Sequence, residues 1–311
     1  MNLVESKLSN SITTNIFKYF SVFVLITITA QVVNCQSQKS YDFSLLFLRG
    51  SFQNNNLNDA DAALKVWAEM YGEKLLEHSD IKFNVTYKIL ENFEDLVPYL
   101  ANNQIDMLNV PASSYVQLPY ADSYLPLLSS GYSGRKFEQY VLIVRKDSGL
   151  NNLDDLKGSS IIMQNNLYDL SGKWIDVELW QNGFEKKEKY FSEIENESKE
   201  IKAINKVFFK KINSAIVTYS QLEIANELNP QILNSIKVIG KSDLLLTNIS
   251  LINKNMAPEI LQTIFDAIDD INTSDQSKQI LSIFKTESIL NITIEELESV
   301  KILMEKFNSI K

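Results

Sequence analysis

The sequence predicts an α/β protein of two lobes, each built on a mostly parallel sheet flanked by helices and joined by a two-crossing hinge. Three observations support this: strand-like and helix-like segments alternate along most of the 311 residues, the alternation occurs twice, and two segments connect the halves. A chain of this length can bury two separate cores. We place lobe 1 at residues 36–144 and 246–311, and lobe 2 at residues 145–245.

The first half carries the order β-α-β-α-β. The predicted elements are a strand at 41–48, an amphipathic helix at 59–76, a strand at 81–89, a helix capped by Asn92 with Asp95 as its capping-box acid, a strand at 104–109, and a helix from Pro111. Strands separated by helices in this way predict a mostly parallel sheet covered by helices.

The second half repeats this order and then returns to the first. The predicted elements are a strand at 160–163, a helix at 171–183, a strand at 187–191, a helix at 198–209, a strand at 214–218, a helix at 221–228, strands at 236–240 and 244–252, and a helical tail at 258–311. The return of the chain gives the second crossing of the predicted hinge, which would allow the lobes to close on a ligand.

The segment 137–163 carries the most informative pattern. An apolar run at 139–144 predicts a strand, 146–149 has turn residues, and 153–156 predicts one helical turn. Gly158 stands where a helix end requires a left-handed residue, and a strand follows.

The core of this segment, R-K-D-S-G-L-N-N-L-D-D-L-K-G, resembles the lobe crossing of phosphate/phosphonate-binding receptors of ABC transporters. The stretches 100–106, 113–115 and 204–217 are similar to further motifs of these periplasmic solute-binding proteins, so the resemblance extends over roughly 43–284. It implies the type II periplasmic-binding-protein fold. It also implies capture of a small, anionic, phosphonate-like ligand between the lobes and its delivery to an ABC permease.

Candidate ligand-binding residues follow from the predicted topology. Ligands of open α/β sheets bind beyond the carboxyl ends of strands, where helix N-termini present free N–H groups. The candidates are Arg49, Ser51, Asn92, Ser113, Ser114, Tyr115, Tyr168, Ser171, Gly172, Lys173, Thr218 and Tyr219. Arg49 could instead form a surface salt bridge, and the tyrosines 115 and 168 are equally well explained as core or rim aromatics.

The loop before the helix at 171–183 is the sharpest test of the ligand. By the resemblance, a run of small hydroxyl residues binds the oxyanion here, whereas this chain has Asp169-Leu170-Ser171-Gly172-Lys173 and keeps only Ser171 and Gly172. A carboxylate at position 169 disfavours a dianion, unless Asp169 is a helix N-cap that faces solvent. Thr218 stands where the family often has an acid that holds an amine.

The N-terminus predicts export. Lys7 and Lys18 precede an apolar stretch at 19–33, which suits a signal peptide better than a membrane span of about 20 residues. Cys35, the only cysteine, follows directly and resembles the lipidation cysteine of bacterial lipoproteins. We therefore predict a signal peptide at 1–35 and an exported, periplasmic or cell-surface protein held at the membrane by a lipid. A conventional secretory signal with an incidental thiol is the alternative.

Composition and motifs argue against other classes of function. A net charge of -9 disfavours nucleic acid as a partner, and the single histidine, His78, leaves no Ser-His-Asp set and no His/Cys metal cluster. We therefore predict a monomeric binding protein without catalytic residues, metal or cofactor. The alternatives are a ligand-sensing or surface interaction protein on the same fold that has lost transport function, and, more weakly, a biosynthetic enzyme on this fold.

Overall fold

The structure is a computed structural model that describes residues 39–52, 57–102, 104–131, 134–164, 169–284 and 286–310. The predicted signal peptide, Cys35 and Tyr168 lie outside these residues. Within them, no helix combines the length and apolar character that crossing a membrane would need.

Strands and helices alternate as the sequence predicts. The strands are β1 (Ser40–Leu48), β2 (Lys82–Leu90), β3 (Met107–Pro111), β4 (Tyr124–Gly131), β5 (Phe137–Arg145), β6 (Ser160–Met163), β7 (Glu193–Asn196), β8 (Ser214–Thr218), β9 (Ile236–Leu246), β10 (Asn248–Asn253) and β11 (Ser288–Asn291). The helices are α1 (Leu57–Glu77), α2 (Val97–Ala101), α3 (Ala112–Tyr115), α4 (Ser171–Gln181), α5 (Lys187–Tyr190), α6 (Glu200–Phe208), α7 (Tyr219–Leu228), α8 (Gln231–Ser235), α9 (Pro258–Thr273), α10 (Asp275–Ile283) and α11 (Glu298–Ser309).

The strands form two sheets, one in each lobe. The first has the order β11-β4-β10-β3-β1-β2 and the second the order β7-β6-β8-β5-β9. In the first sheet β1, β2, β3 and β4 run in one direction, and in the second β6, β7, β8 and β9 do. Strands β10 and β11 oppose the others in the first sheet and β5 does so in the second, and β5 and β10 begin directly after the crossings. The predicted fold class, two mostly parallel sheets flanked by helices, is confirmed.

The chain passes between the two sheets twice in the order of its strands. The predicted boundary at residue 144 assigns β5 to lobe 1, whereas β5 pairs with β8 and β9 in the second sheet. The chain therefore enters lobe 2 between β4 and β5. It returns at Thr247, the single residue between β9 and β10.

A third segment also joins the lobes. After β11 in the first sheet, the chain continues into α11, which packs against α4 and β9 of lobe 2 and against α3 of lobe 1. Val300, Leu303 and Met304 of α11 are buried in a core cluster with side chains from both lobes. Lys136, in the first crossing, forms an ion pair of 2.6 Å with Glu296, which precedes α11. The hinge therefore has three chain segments, two of which are linked by an ion pair.

Two local predictions differ from the structure. Residues 187–191, predicted as a strand, form α5, because the buried carboxylate of Asp176 accepts hydrogen bonds from both the backbone N–H and the ammonium of Lys187. The strand follows as β7. The tail, predicted to be entirely helical, contains β11, whose strand pairing with β4 determines its conformation. The predicted left-handed residue Gly158 is confirmed, with φ of 73°.

Candidate ligand-binding cleft

A cavity of about 1280 Å³ lies between the lobes and is lined by both. Lobe 1 contributes neutral polar residues from the carboxyl ends of its strands and the loops beyond them, among them Ser51, Asn109 and Ser129. Lobe 2 contributes Thr218 and Ser220, which follow β8 in the same way. This is the place where open α/β sheets bind ligands. We call this cavity the cleft.

Part of the cleft extends into the core of lobe 1. Its wall there is made of apolar and aromatic side chains between the first sheet and helices α1, α9 and α10. We call this part the apolar pouch, lined by Phe47, Phe52, Leu64, Trp67, Tyr71, Met107, Leu128 and Leu281. Trp67 and Tyr71, one turn apart on α1, stack with ring centroids 4.6 Å apart. The pouch therefore gives the lobe-1 side of the cleft an apolar and aromatic wall.

The lobe-2 side of the cleft carries three carboxylates. Glu138 lies near the start of β5, Asp169 precedes α4, and Glu200 is the first residue of α6. We call these three residues the acidic wall. They come from three separate elements, and only the fold brings them to one surface.

Neutral hydroxyl groups connect two members of the acidic wall. Thr218 donates to Glu200 Oε2 from its hydroxyl at 2.7 Å and from its backbone N–H at 2.8 Å. Ser220 Oγ donates to Glu138 Oε2 at 2.9 Å and lies 3.2 Å from Thr218 Oγ1. These bonds fix both carboxylates without neutralising either of them.

Asp169 occupies the N-terminal end of α4 with its own side chain. Its Oδ2 accepts hydrogen bonds from the backbone N–H groups of Ser171 at 3.1 Å and Gly172 at 3.3 Å, and from the hydroxyl of Ser171. Its Oδ1 accepts a bond of 3.2 Å from the Tyr140 hydroxyl. The donors that would bind an oxyanion at this helix end are therefore occupied by a carboxylate of the chain itself.

Burial raises the pKa of each carboxyl group in the acidic wall. The pKa of Glu200 is raised to about 7, chiefly by burial and further by the charges of Asp169 and Glu138, against the opposing hydrogen bonds from Thr218. Burial also raises the pKa values of Glu138 and Asp169, although hydrogen bonds from Ser220 and Ser171 oppose the shift. The acidic wall thus concentrates negative charge in a poorly solvated place.

The structure places two predicted residues, Ser51 and Thr218, on the cleft wall. Ser171 and Gly172 lie beneath Asp169 and are buried. Lys173 donates from Nζ to the Asp169 carbonyl oxygen at 2.9 Å, and its ammonium lies 5.9 Å from the Phe307 ring centroid on α11.

The other described candidates lie away from the cleft wall. Arg49 is half-buried and its Nη1 has no hydrogen-bond partner among the described residues. Asn92 is exposed and donates to Asp95 at 3.1 Å, as the predicted capping pair requires. The Tyr219 ring is 38% exposed and lies under the ammonium of Lys241. None of these arrangements directs the side chain toward the cavity.

The candidates on α3 are part of the interior. Ser113 and Ser114 are buried, and Tyr115 packs against the core cluster shared by the two lobes. Helix α3 itself is covered by α11. The motif at 113–115 therefore marks the helix that follows β3 rather than the ligand surface.

Comparison with known proteins identifies the family. Residues 60–297 match the family described as ABC transporter, phosphonate, periplasmic substrate-binding protein. This match covers more than half of the chain. The chain belongs to this family. Its members are substrate-binding proteins of ABC transporters rather than enzymes, and they act in the periplasm, after export.

Solved structures agree with the fold. XAC2383 from Xanthomonas citri, bound to chloride, has a TM-score of 0.62 and 14% identity, over 86% of this chain and 98% of that one. PhnD1 from Prochlorococcus marinus, in complex with methylphosphonate, has a TM-score of 0.59 and 15% identity, over 86% and 99%. A phosphonate-transporter binding protein from Pseudomonas aeruginosa has a TM-score of 0.54 and 13% identity, over 88% of both chains. A search of curated proteins gave no match.

The sequence did not predict that Asp169 lies beside two further carboxylates in the acidic wall, and it did not predict the pouch. Glu200 could have been found, since it lies in the first turn of the lobe-2 helix predicted at 198–209, and helix N-termini face the cleft. Glu138 gave a weaker signal, as a charged residue beside the apolar run of the crossing strand. Trp67 and Tyr71 gave none, because aromatic residues on one face of an amphipathic helix are ordinary core residues. Among the described residues, no cluster of His, Cys, Asp and Glu could hold a metal ion.

Proposed function

We propose that this protein is an exported, lipid-anchored solute-binding protein that captures a small molecule in the cleft and delivers it to an ABC permease. The family supplies the class of function, and the predicted Cys35 supplies the anchor. No bond of the ligand is made or broken. Binding and release by movement of the two lobes are the whole activity.

The observation that carries this proposal is the cleft itself. It is lined by both lobes, so a ligand bound there contacts both and favours the closed arrangement. The lobes are joined at one side by three segments, which leaves the opposite side free to open. Of the predicted site residues, Ser51 and Thr218 support this placement, one from each lobe.

The direct test is to identify what the protein carries. The chain from Gln36 onward would be purified without denaturation from its host compartment, then unfolded, and the released small molecules identified by mass spectrometry. We expect one class of solute at a stoichiometry near one per chain. A protein that carries nothing, and whose unfolding temperature no solute of any class raises, would contradict the proposal.

The anchor and the transport role need separate measurements. Labelled fatty acid should be incorporated into the full chain and not into Cys35→Ala, and the variant should be released from the membrane. Uptake of the identified solute should require both this protein and its permease. A ligand-sensing role, the alternative on the same fold, would leave uptake unchanged when the protein is removed.

A further inference from the structure

We propose that the ligand is an amphipathic organic cation, with a protonated nitrogen bound at the acidic wall and an apolar body in the pouch. This inference rests on the proposed function and names the class of its ligand. It differs from an oxyanion in the sign of the charge and in the size of the body. Charge, cavity shape and an unpartnered buried hydroxyl each point to it.

The first argument is the charge of Glu138 and Glu200, which no ion pair balances. Both accept hydrogen bonds from hydroxyl and amide groups, and no described Lys or Arg lies within ion-pair distance of either, although the charge of Arg135 acts on Glu138 from further away. A buried carboxylate is stable when a cation compensates it. A ligand ammonium would supply that compensation with charge-assisted hydrogen bonds.

Three of the four described basic residues on the cleft wall form ion pairs with carboxylates outside the acidic wall, and the fourth, Lys199, is exposed. Arg135 is paired with Glu223 at 2.8 Å, Lys136 with Glu296 at 2.6 Å, and Lys278 with Asp275 at 3.7 Å. The N–H groups at the start of α4, the family's expected anion site, are filled by Asp169. An anionic ligand at the acidic wall would thus meet negative charge. Neither the three ion-paired side chains nor the N–H groups of α4 would be available to bind it.

The second argument is the pouch. A small oxyanion needs a compact polar site, whereas the lobe-1 part of this cavity is walled by apolar and aromatic side chains. Aromatic and aliphatic side chains from the core of lobe 1 line much of this space. Such walls contribute to affinity by burying apolar surface, so the ligand has an apolar body.

The third argument is independent of the carboxylates. Tyr71 lines the pouch, is 1% exposed, and has a hydroxyl without a hydrogen-bond partner among the described residues. A buried hydroxyl left unpaired is costly, and such groups normally find a partner. We assign that partner to a polar atom on the body of the ligand.

A metal ion is a poorer candidate for the same charge. The described residues hold no cluster of three potential ligands close enough to coordinate one. The carboxylates of the acidic wall are instead spread over a surface continuous with the pouch. An organic cation can contact both parts at once, which a bare ion cannot.

The test uses three ligands with one body and different heads: 2-phenylethylamine, 2-phenylethanol and 2-phenylethylphosphonate. Binding to the chain from Gln36 onward would be measured by calorimetry at neutral pH. We expect the amine to bind at least about tenfold more tightly than the alcohol, and the phosphonate not to bind. Ethylamine, which lacks the ring, should bind at least about tenfold more weakly than 2-phenylethylamine. Stronger binding of the phosphonate, or equal binding of the alcohol, overturns the proposal.

Variants assign the contacts. Glu138→Gln and Glu200→Gln should each weaken amine binding about tenfold or more, and alcohol binding by a smaller factor. The matched control is Glu185→Gln, which removes the same charge from an exposed helix-end position that pairs with Lys189. Equal effects of all three variants would mean that only net charge matters and would overturn the site. A cooperative urea transition in each variant shows independently that it folds.

Tyr71 is tested with a ligand that carries a hydroxyl on its body. Tyramine should bind more tightly than 2-phenylethylamine, and Tyr71→Phe should remove that difference. If the difference persists in Tyr71→Phe, the assigned contact is wrong.

The outcomes separate this inference from the proposed function. A natural solute recovered from the purified protein that is anionic would keep the proposed function and overturn the cationic ligand. An organic amine recovered in the same way would support both. Recovery of no solute, together with no binding of the amine, would overturn the cationic ligand, and the proposed function would be overturned as well if no solute of any class raised the unfolding temperature.

Discussion

At the residue scale, Glu200 is a carboxylate whose ionisation opposes folding. Its pKa is raised to about 7, from a usual value of 4.5, by burial and by the facing carboxylates of Asp169 and Glu138. A carboxyl group with a raised folded-state pKa stabilises the fold fully below its unfolded pKa, and that contribution is lost as the pH rises through the folded pKa. Stability should therefore fall between these two values.

The ligand-free protein should lose about 2–3 kcal/mol of unfolding free energy to this group as the pH rises from about 4.5 to above 7. Glu200→Gln should remove most of that loss and should be the more stable protein at about pH 8. Urea unfolding at a series of pH values measures both effects. Glu185→Gln is the exposed control. If the unfolding free energy of Glu200→Gln falls with pH as steeply as that of the unchanged protein, the ionisation of Glu200 does not limit stability.

Asp169 gives a second prediction at this scale. Because its carboxylate holds the N–H groups of Ser171 and Gly172, Asp169→Ala should free them and remove a negative charge beside them. We expect the variant to gain at least about tenfold affinity for inorganic phosphate. Loss of the helix cap should cost about 1 kcal/mol of unfolding free energy. Asp169→Asn, which keeps a capping oxygen, should gain less. If the unchanged protein and both Asp169 variants all fail to bind phosphate, Asp169 is not what keeps an anion from the N-terminal end of α4.

At the element scale, a buried ion pair connects α4 to α5. Lys187 Nζ lies 2.5 Å from Asp176 Oδ2, and the side chains are only 10% and 3% exposed. Lys187→Met should destabilise the protein by about 3–5 kcal/mol, because it leaves a buried carboxylate uncompensated. Lys189→Met, which removes an ammonium that is 72% exposed, is the control and should cost less than about 1 kcal/mol. Similar unfolding midpoints in urea for the two variants would contradict this account.

Elements were predictable from sequence where local chemistry determines them. Gly158 terminates its helical turn in the predicted left-handed conformation, and the apolar alternation at 81–89 is β2 within one residue. Residues 187–191 were not predictable, since their helix depends on Asp176, which lies on another element. The acidic wall could not be predicted from the sequence for the same reason. Asp169 suits a helix cap from sequence alone, but its place beside Glu138 and Glu200 depends on the packing of three separate segments.

At the scale of the whole molecule, the hinge determines what closure can do. Helix α11 packs against both lobes on the side where the three segments cross, and Lys136 joins the first crossing to the segment before α11. Movement should therefore be concentrated on the side of the cleft away from α11. Helices α1 and α6 lie on opposite walls of the cleft, since Leu64 of lobe 1 and Ile201 of lobe 2 both line the cavity.

Closure can be measured between these helices. The chain from Gln36 onward contains no cysteine, so Lys65→Cys and Lys202→Cys, both exposed, can carry a pair of fluorescent labels. A ligand that contacts both lobes stabilises the closed arrangement, so the distance between the labels should shorten as 2-phenylethylamine is added, with a midpoint equal to the calorimetric Kd. A pair within lobe 2, Glu185→Cys with Lys202→Cys, should not change. If the ligand binds and the distance does not shorten, only one lobe holds the ligand. Because the acidic wall belongs to lobe 2 and the pouch to lobe 1, the ligand would then occupy either the wall or the pouch but not both.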